Sequence, residues 1–239
     1  MLGDIINLFY PALCQACGGK MPKWDRHLCE NCLKKIEMRQ PPFCIKCGKR
    51  LSVESSTITI CKDCKISAPY FDRAGSACYY DGILKELVYN FKYKKITSLG
   101  EEFAKIIINF MKINNLGNLA EIIAPIPMHP KRLFKREVNH ADILAKNIAK
   151  KLNIHYSGKL LKKIKETAVQ TGLGRQKRIK NILGSFSIQN SSIAENKNIL
   201  LVDDLFTTGS TVNECAKLLR KAGARYIEVI ALARGDKIN

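Results

Sequence analysis

The stretch ILLVDDLFTTGST, residues 199–211, runs from four apolar residues into two aspartates and then into a cluster of small hydroxylated residues. The run NILLVDD (198–204) is short, apolar and followed by turn-forming residues, which predicts a buried strand. The segment STVNECAKLLRKAG (210–223) is expected to form a helix that ends at Gly223. The stretch therefore predicts a strand, a tight turn over 207–211 and a helix in succession.

Residues 69–239 alternate between strand-like and helix-like patterns and are expected to form one α/β domain. Further strands are predicted at 73–80, 121–124, 159–165 and 226–234, and further helices over 82–95, 98–112 and 139–152. Strands that alternate with helices predict a largely parallel sheet flanked by helices. Residues 166–187 are polar and carry little periodicity, which favours a loop or hood.

The turn over 207–211 has the chemistry of a phosphate site. Ligands of parallel sheets bind at the carboxyl ends of the strands, and backbone amides at a helix N-terminus attract anions. Gly209 permits close approach of the backbone, and the hydroxyl groups add donors. Asp203 and Asp204 would repel a phosphate that they faced, so we expect them to contact sugar hydroxyls or a bound Mg²⁺. A phosphorylated ribose fits both halves. An ordinary helix N-cap is the alternative, but it requires one hydroxyl and explains neither aspartate.

Eight of the ten cysteines form four CxxC pairs: CQAC (14–17), CENC (29–32), CIKC (44–47) and CKDC (61–64). Four thiolates complete a tetrahedral structural zinc site, and a segment this short has little core without metal. We therefore predict a zinc module over 1–68 with two structural zinc ions. A tandem repeat places one zinc at Cys14, Cys17, Cys29 and Cys32, and the other at Cys44, Cys47, Cys61 and Cys64. Cross-braced pairing, in which the first pair joins the third, is the alternative.

The overall charge favours an anionic partner. Forty Lys and Arg residues against 21 Asp and Glu give a net charge of +19, which favours nucleic acid, anionic lipid or phosphorylated small molecules. A lysine-rich surface without such a partner is the alternative. No apolar run approaches the roughly 18 residues of a membrane span, and no basic leader is evident. We expect a cytoplasmic protein without stable membrane insertion.

The 13 residues 199–211 resemble the phosphoribosyl-pyrophosphate (PRPP) motif of type I phosphoribosyltransferases: an apolar run, two acids, two variable residues and a T-T-G-S/T-T turn. The resemblance implies the fold of that family. It also implies that Asp203 and Asp204 hold the ribose hydroxyls and that Mg²⁺ bridges the pyrophosphate. By the same resemblance, the 5′-phosphate is held by Thr207, Thr208, Gly209, Ser210 and Thr211.

A narrower resemblance spans the whole chain. The CxxC module, followed by PIPMHPKRLFKREVNHADILAK and ETAVQTGLGRQKRIKNILGSF, is similar to the ComF (ComFC) family of competence-associated proteins. Three positions depart from the family pattern: Glu137 replaces a glycine, His140 a glutamine and Lys165 an arginine. The resemblance implies handling of single-stranded DNA during transformation, with a DNA-uptake helicase or another competence protein as a candidate partner.

Basic residues are expected to contact the pyrophosphate: Lys92, Lys131, Arg132, Arg136 and Arg178. The segment VYNFKYKK (88–95) interleaves aromatic and basic residues, as single-strand-binding surfaces do. Phe91 is expected to face the core, so its tyrosines are the stacking candidates. Two functions remain open: a PRPP-binding protein that handles single-stranded DNA, and an active phosphoribosyltransferase with an unidentified acceptor.

Overall fold

Five parallel strands form the central sheet of the part of the chain that the computed structural model describes, residues 12–21, 27–52, 59–167 and 181–235. The strands of the central sheet and of a separate pair are, in chain order, β1 (Arg73–Tyr79), β2 (Ile122–Pro125), β3 (His155–Tyr156), β4 (Leu161–Lys163), β5 (Phe186–Ile188), β6 (Asn198–Phe206) and β7 (Tyr226–Arg234). The central sheet has the order β1-β7-β6-β2-β3, and β4 and β5 form a separate antiparallel pair. This order brings the carboxyl ends of β1, β7, β6 and β2 to one edge.

Two short helices precede β1 in the described chain, and the later helices connect the strands across both faces of the sheet. The helices are α1 (Glu30–Lys34), α2 (Lys62–Ile66), α3 (Gly82–Tyr93), α4 (Leu99–Ile113), α5 (Pro130–Arg136), α6 (His140–Leu152) and α7 (Ser210–Lys221). The predicted helices at 82–95, 98–112, 139–152 and 210–223 are thus confirmed apart from their ends. Within the described ranges, no helix has the length and apolar character needed to cross a membrane.

The sheet separates two apolar layers because successive residues of each strand point to opposite faces. In β6, Leu200 and Val202 pack with α3, α4 and α6, whereas Ile199 and Leu201 pack with α7. Phe91 of α3 is fully buried in the first layer, as predicted. Burial on both faces explains why β6 reads as a continuous apolar run up to its two aspartates.

The strand predicted to end at Asp204 continues to Phe206, so its predicted end was wrong. The cause is long-range pairing: β7 continues beside β6 and matches Phe206 with Arg234. On its other side, β6 loses its partner earlier, because β2 pairs with it only as far as Val202. At Asp203 and Asp204, β6 is therefore still paired with β7 on one side but no longer with β2 on the other.

Other differences come from elements with weak local signals. Helix α5 was not predicted, although Pro130 stands at its first turn, where proline is favoured. The hood expected over 166–187 contains the first two residues of β5, and β4 is shorter than the predicted strand 159–165. β3 was also missed, since a strand of two residues carries no periodicity. Residues 168–180 of the expected hood lie outside the described residues.

Candidate functional site

The cysteines gather into two groups of four, Cys14, Cys17, Cys29 and Cys32, and Cys44, Cys47, Cys61 and Cys64. Within each group all the sulfur atoms lie within 4.8 Å of one another. A tetrahedral zinc site with Zn–S bonds of about 2.3 Å has sulfur–sulfur edges of about 3.8 Å. The observed Cys17–Cys29 and Cys47–Cys61 sulfur distances are 3.9 and 3.7 Å. Both groups therefore fit structural zinc, and the grouping is local rather than cross-braced.

The two cysteine modules are structural repeats. In the first, the Gly18 amide donates to the Cys14 carbonyl and the Cys29 amide to the Cys14 sulfur, at 2.9 and 3.3 Å. In the second, Gly48 and Cys61 make the same two bonds to Cys44 at the same distances. Both glycines have positive φ, 70° and 65°, which explains why glycine follows both CxxC pairs.

A cleft of ≈ 560 Å³ opens at the carboxyl edge of the central sheet. Its floor includes Asp203 and Asp204 of β6, and one wall includes Lys92 of α3. Residues 126–129, which follow β2, line it as well. The early separation of β2 from β6 creates this space, because Pro125 and Pro127 direct the chain out of the sheet. The cleft therefore lies where ligands of parallel sheets usually bind.

The two aspartates have different electrostatic environments. Burial and the neighbouring Asp204 carboxylate raise the pKa of Asp203 to about 7. Burial alone would raise the pKa of Asp204 too, but the Lys92 ammonium at 2.8 Å outweighs it and the net shift is downward. Asp204 is thus the carboxylate that keeps its charge, whereas Asp203 exchanges a proton near neutral pH. The pair offers oxygen acceptors suited to sugar hydroxyls or a divalent cation.

The phosphate turn, residues 207–211, joins β6 to α7. Gly209 has φ +75° and lies against the Phe206 ring, which a Cβ atom on Gly209 would approach to 2.8 Å. The Thr208 hydroxyl lies 2.9 Å from the Ser210 hydroxyl, and the Ser210 amide donates to the Thr208 hydroxyl. Thr207 and Thr211 line the cleft. The turn thus presents hydroxyls and the start of a twelve-residue helix beside the two aspartates.

The predicted pyrophosphate-binding residues separate into three groups. Lys92, Arg132 and Arg136 line the cleft. Lys131 is largely exposed and pairs with Glu166 at 3.3 Å instead of lining the cleft. Arg178 lies outside the described residues. Lys92 is also committed to Asp204, so Arg132 and Arg136 are the cations best placed for an anionic ligand.

Sequence reasoning missed Lys163, a buried lysine of β4 that lines the cleft. Its ammonium lies 2.8 Å from the Thr167 hydroxyl, and Arg132 donates to the Thr167 carbonyl at 2.7 Å. Burial and the nearby Arg132 lower the pKa of Lys163. The sequence of β4, Leu-Lys-Lys, does not distinguish Lys163 from an exposed lysine, because the buried side of the strand is seen only in the structure. This cluster adds positive charge to the cleft that also contains the two aspartates.

An aromatic rim adjoins the cleft and consists of Tyr89, Tyr93 and Arg136. The two tyrosines are 53% and 58% exposed, and their ring centroids are 5.0 Å apart. The Arg136 guanidinium lies 5.2 Å from the Tyr93 centroid and so joins α5 to α3. Exposed aromatic rings beside a cation offer a surface on which a nucleobase can stack.

The two departures from the family pattern near the cleft have physical explanations. Glu137 ends α5 in the left-handed region, φ +65°, where glycine is the usual residue. His140 is fully buried and its Nε2 lies 3.0 Å from the Phe91 carbonyl oxygen, a bond that a glutamine amide could also donate. His129 caps α5 by accepting from the Lys131 amide.

Two protein families match this chain in separate regions. A double zinc ribbon domain matches residues 5–65 and a phosphoribosyl transferase domain matches residues 140–237. Together with the parallel sheet and the two cysteine groups, these matches confirm the predicted fold class, an α/β phosphoribosyltransferase fold with an N-terminal double zinc-ribbon module.

Three relatives are similar over most of their length. Competence protein F of Haemophilus influenzae is 30% identical and covers 95% of this chain and 98% of its own. The DNA utilization protein YhgH of Escherichia coli is 25% identical, covering 95% of this chain and 99% of its own. Competence protein ComFC of Bacillus subtilis is 27% identical, covering 89% and 86%.

Proposed function

Because the chain belongs to the family of competence protein F and ComFC, we propose that it binds PRPP and handles single-stranded DNA during natural transformation. One observation carries this proposal: a cleft with two aspartates and a hydroxyl-rich turn on its floor has stacked tyrosines on its rim. The first set has the chemistry for a phosphorylated ribose. The second set has the chemistry for unpaired bases.

PRPP fits the floor of the cleft in one orientation. Its 5′-phosphate would take the amides and hydroxyls of the phosphate turn, and its ribose diol would take the carboxylates of Asp203 and Asp204. Arg132 and Lys163 would then face the pyrophosphate. Mg²⁺, when bound, would neutralise pyrophosphate charge. The cleft volume of ≈ 560 Å³ is within the range of small-molecule sites.

An internal segment of DNA does not suit the same floor. DNA lacks the 2′-hydroxyl, and its 3′-oxygen carries a phosphodiester that the carboxylates of Asp203 and Asp204 would repel. We therefore assign the strand to the aromatic rim and to the exposed lysines beside it, Lys94, Lys95 and Lys135. PRPP and single-stranded DNA would then occupy adjacent sites.

Calorimetric titration of PRPP with Mg²⁺ tests the first half of the proposal. Asp203→Asn and Asp204→Asn should each abolish measurable binding while zinc content stays unchanged, because an amide removes the charge but keeps the shape. Asp142→Asn is a matched control, since its carboxylate pairs with Lys146 on α6 and does not line the cleft. Unchanged PRPP affinity in both cleft variants would refute the site.

The pH dependence of PRPP affinity gives a second test of the site. The raised pKa of Asp203, about 7, means that the carboxyl is mostly protonated below that pH and is then a weaker acceptor for a ribose hydroxyl. Affinity should therefore increase as pH rises from 6 to 8. Titrations in matched ionic strength measure it, and an affinity that falls over this range would contradict the assignment.

Single-strand binding tests the second half of the proposal. Tyr89→Ala with Tyr93→Ala should lower oligonucleotide affinity by about 2 kcal/mol or more, since stacking contributes about 1–3 kcal/mol per base. Tyr70→Ala is the matched control, because Tyr70 is also exposed beside a lysine but lies outside the cleft. Affinity should also fall steeply with salt. Equal losses in the control and the rim variant would refute the rim.

A second candidate function, phosphoribosyl transfer, is favoured by one specific observation. The Lys163–Arg132 cluster lines the same cleft as the aspartates, where cations would stabilise departing pyrophosphate. Release of pyrophosphate from PRPP, measured with candidate acceptors, would establish transfer. PRPP binding without release under those conditions favours the DNA-handling function.

A further inference from the structure

A continuous set of contacts joins the second zinc module to the phosphate turn. Arg234, the last residue of β7, donates to the carbonyl oxygen of Cys47 at 2.5 Å. Its guanidinium lies 4.6 Å from the centroid of the Phe206 ring. That ring in turn packs directly against Gly209. Three residue contacts thus separate a cysteine of the second group from the turn that would hold the 5′-phosphate.

The two side chains in the middle of this path, Arg234 and Phe206, are buried and geometrically restrained. Arg234 is 7% exposed and pairs in register with Phe206 across the two strands. Phe206 is buried and also meets Phe71 edge-to-face, at 6.3 Å between centroids. A planar guanidinium held between a carbonyl and a ring face has little freedom to shift. A displacement of the Cys47 carbonyl is therefore transmitted to the ring and to Gly209.

We propose that Arg234 is a positioning residue through which the metal-bound second module holds the phosphate turn in its PRPP-binding conformation. Zinc at Cys44, Cys47, Cys61 and Cys64 would fix the loop that carries the Cys47 carbonyl. Loss of that zinc would free the carbonyl, and the guanidinium, ring and turn would loosen together. The choice of PRPP as the ligand rests on the proposed function. The connection from the second zinc site to the turn does not rest on it. It makes PRPP affinity depend on zinc that never touches the ligand.

Arg234→Lys tests the link with the charge retained. Lysine lacks the planar face and the fork, so PRPP affinity should fall about tenfold, which corresponds to about 1.4 kcal/mol. Metal analysis should still find both zinc ions. Arg73→Lys is the matched control, because Arg73 also donates to backbone carbonyls but lies at the opposite end of the sheet. An unchanged affinity in Arg234→Lys would overturn the proposal.

A double-mutant cycle tests whether zinc and Arg234 act through one path. Cys61→Ser, which removes a second-module ligand, should lower PRPP affinity by at least as much as Arg234→Lys. The double variant should bind no more weakly than Cys61→Ser alone, because both changes break the same connection. Additive losses would overturn the proposal, since they would mean two independent effects on the site.

Hydrogen exchange separates this inference from the PRPP assignment. Amides of residues 207–211 should exchange faster in Arg234→Lys and in Cys61→Ser without ligand, while those of β2 keep their wild-type rates. If wild-type protein shows no PRPP heat but this pattern holds, the proposed function fails and the mechanical link stands. If the turn amides keep their rates, or if the whole sheet exchanges faster, the link is refuted.

Discussion

The two cysteine modules share one internal structure but attach to the α/β domain in different ways. The first contributes Cys14, Met21, Leu28 and Cys32 to the same apolar cluster as α3 and α4. In the second, Cys44, Cys61 and Cys64 form a small cluster of their own, and its glycine loop docks onto strand ends. Ala74 lies so close that a Cβ atom on Gly48 would approach its carbonyl oxygen to 2.5 Å. Gly18 of the first module has no such neighbour among the described atoms.

This difference shows that one folding unit can serve two purposes in the same chain. The first module extends the hydrophobic core, so its metal supports the whole domain. The second module contacts the α/β domain through Phe43, which lies 6.1 Å from Phe110 between ring centroids, and through the bond that Arg234 donates to the Cys47 carbonyl. Directional contacts of this kind fix position more strictly than apolar burial does. The second module is therefore suited to holding an adjacent functional turn.

The largest expected effect follows from removing one zinc ligand in each module. Cys32→Ser should lower the melting temperature by about 10 °C or more, because the freed segment is part of the main core. Cys64→Ser should release one zinc as well but lower the main transition by about half as much or less. Calorimetric melting with metal analysis measures both. Equal shifts would contradict the division between core and docking modules.

The next comparison uses the two glycines. Both have positive φ, so Gly18→Ala should cost about 1–2 kcal/mol from backbone strain alone. Gly48→Ala adds a collision with the Ala74 carbonyl oxygen and should cost about 3 kcal/mol or more. Denaturant unfolding of the two variants gives the difference in free energy. Similar losses would show that the second module is not tightly docked.

The smallest effect is expected at a polar contact of the first module. The Asn90 amide donates to the Gln15 carbonyl at 3.5 Å, a long bond, and the Asn90 side-chain oxygen is buried without a hydrogen-bond partner. Asn90→Leu should therefore change the free energy of unfolding by less than about 1 kcal/mol. The same unfolding measurement checks it. A loss of several kcal/mol would mean that polar docking matters for the first module too.

The parts predicted from sequence are those determined locally. The zinc ligands are grouped by short CxxC turns, and the motif at 199–211 combines strand, turn and helix signals within a few residues. The apolar helices and long strands follow from periodicity for the same reason. The sequence motif therefore placed Asp203, Asp204 and the phosphate turn at one end of one strand.

The parts that were missed depend on partners distant in sequence. β6 extends past Asp204 only because β7 continues beside it, and Lys163 enters the cleft only because β4 pairs with β5. The path through Arg234 likewise joins residues 187 positions apart in the chain. A local sequence pattern does not show which residues pair when they are far apart in the chain. From sequence alone, each lysine or arginine is interpreted as an exposed surface charge. Only the fold shows which residues it contacts.

Thr207 lines two different clefts, which bears on the design of small-molecule ligands. It lines the cleft proposed to bind PRPP and also a second cleft of ≈ 410 Å³ between the second zinc module and the start of α7. The wall of that second cleft includes Tyr70, Phe206 and Gly209. A small molecule built to fill it would contact the phosphate turn without carrying a phosphate. A search for ligands of the proposed PRPP site could thus avoid the highly charged compounds that phosphate mimicry requires.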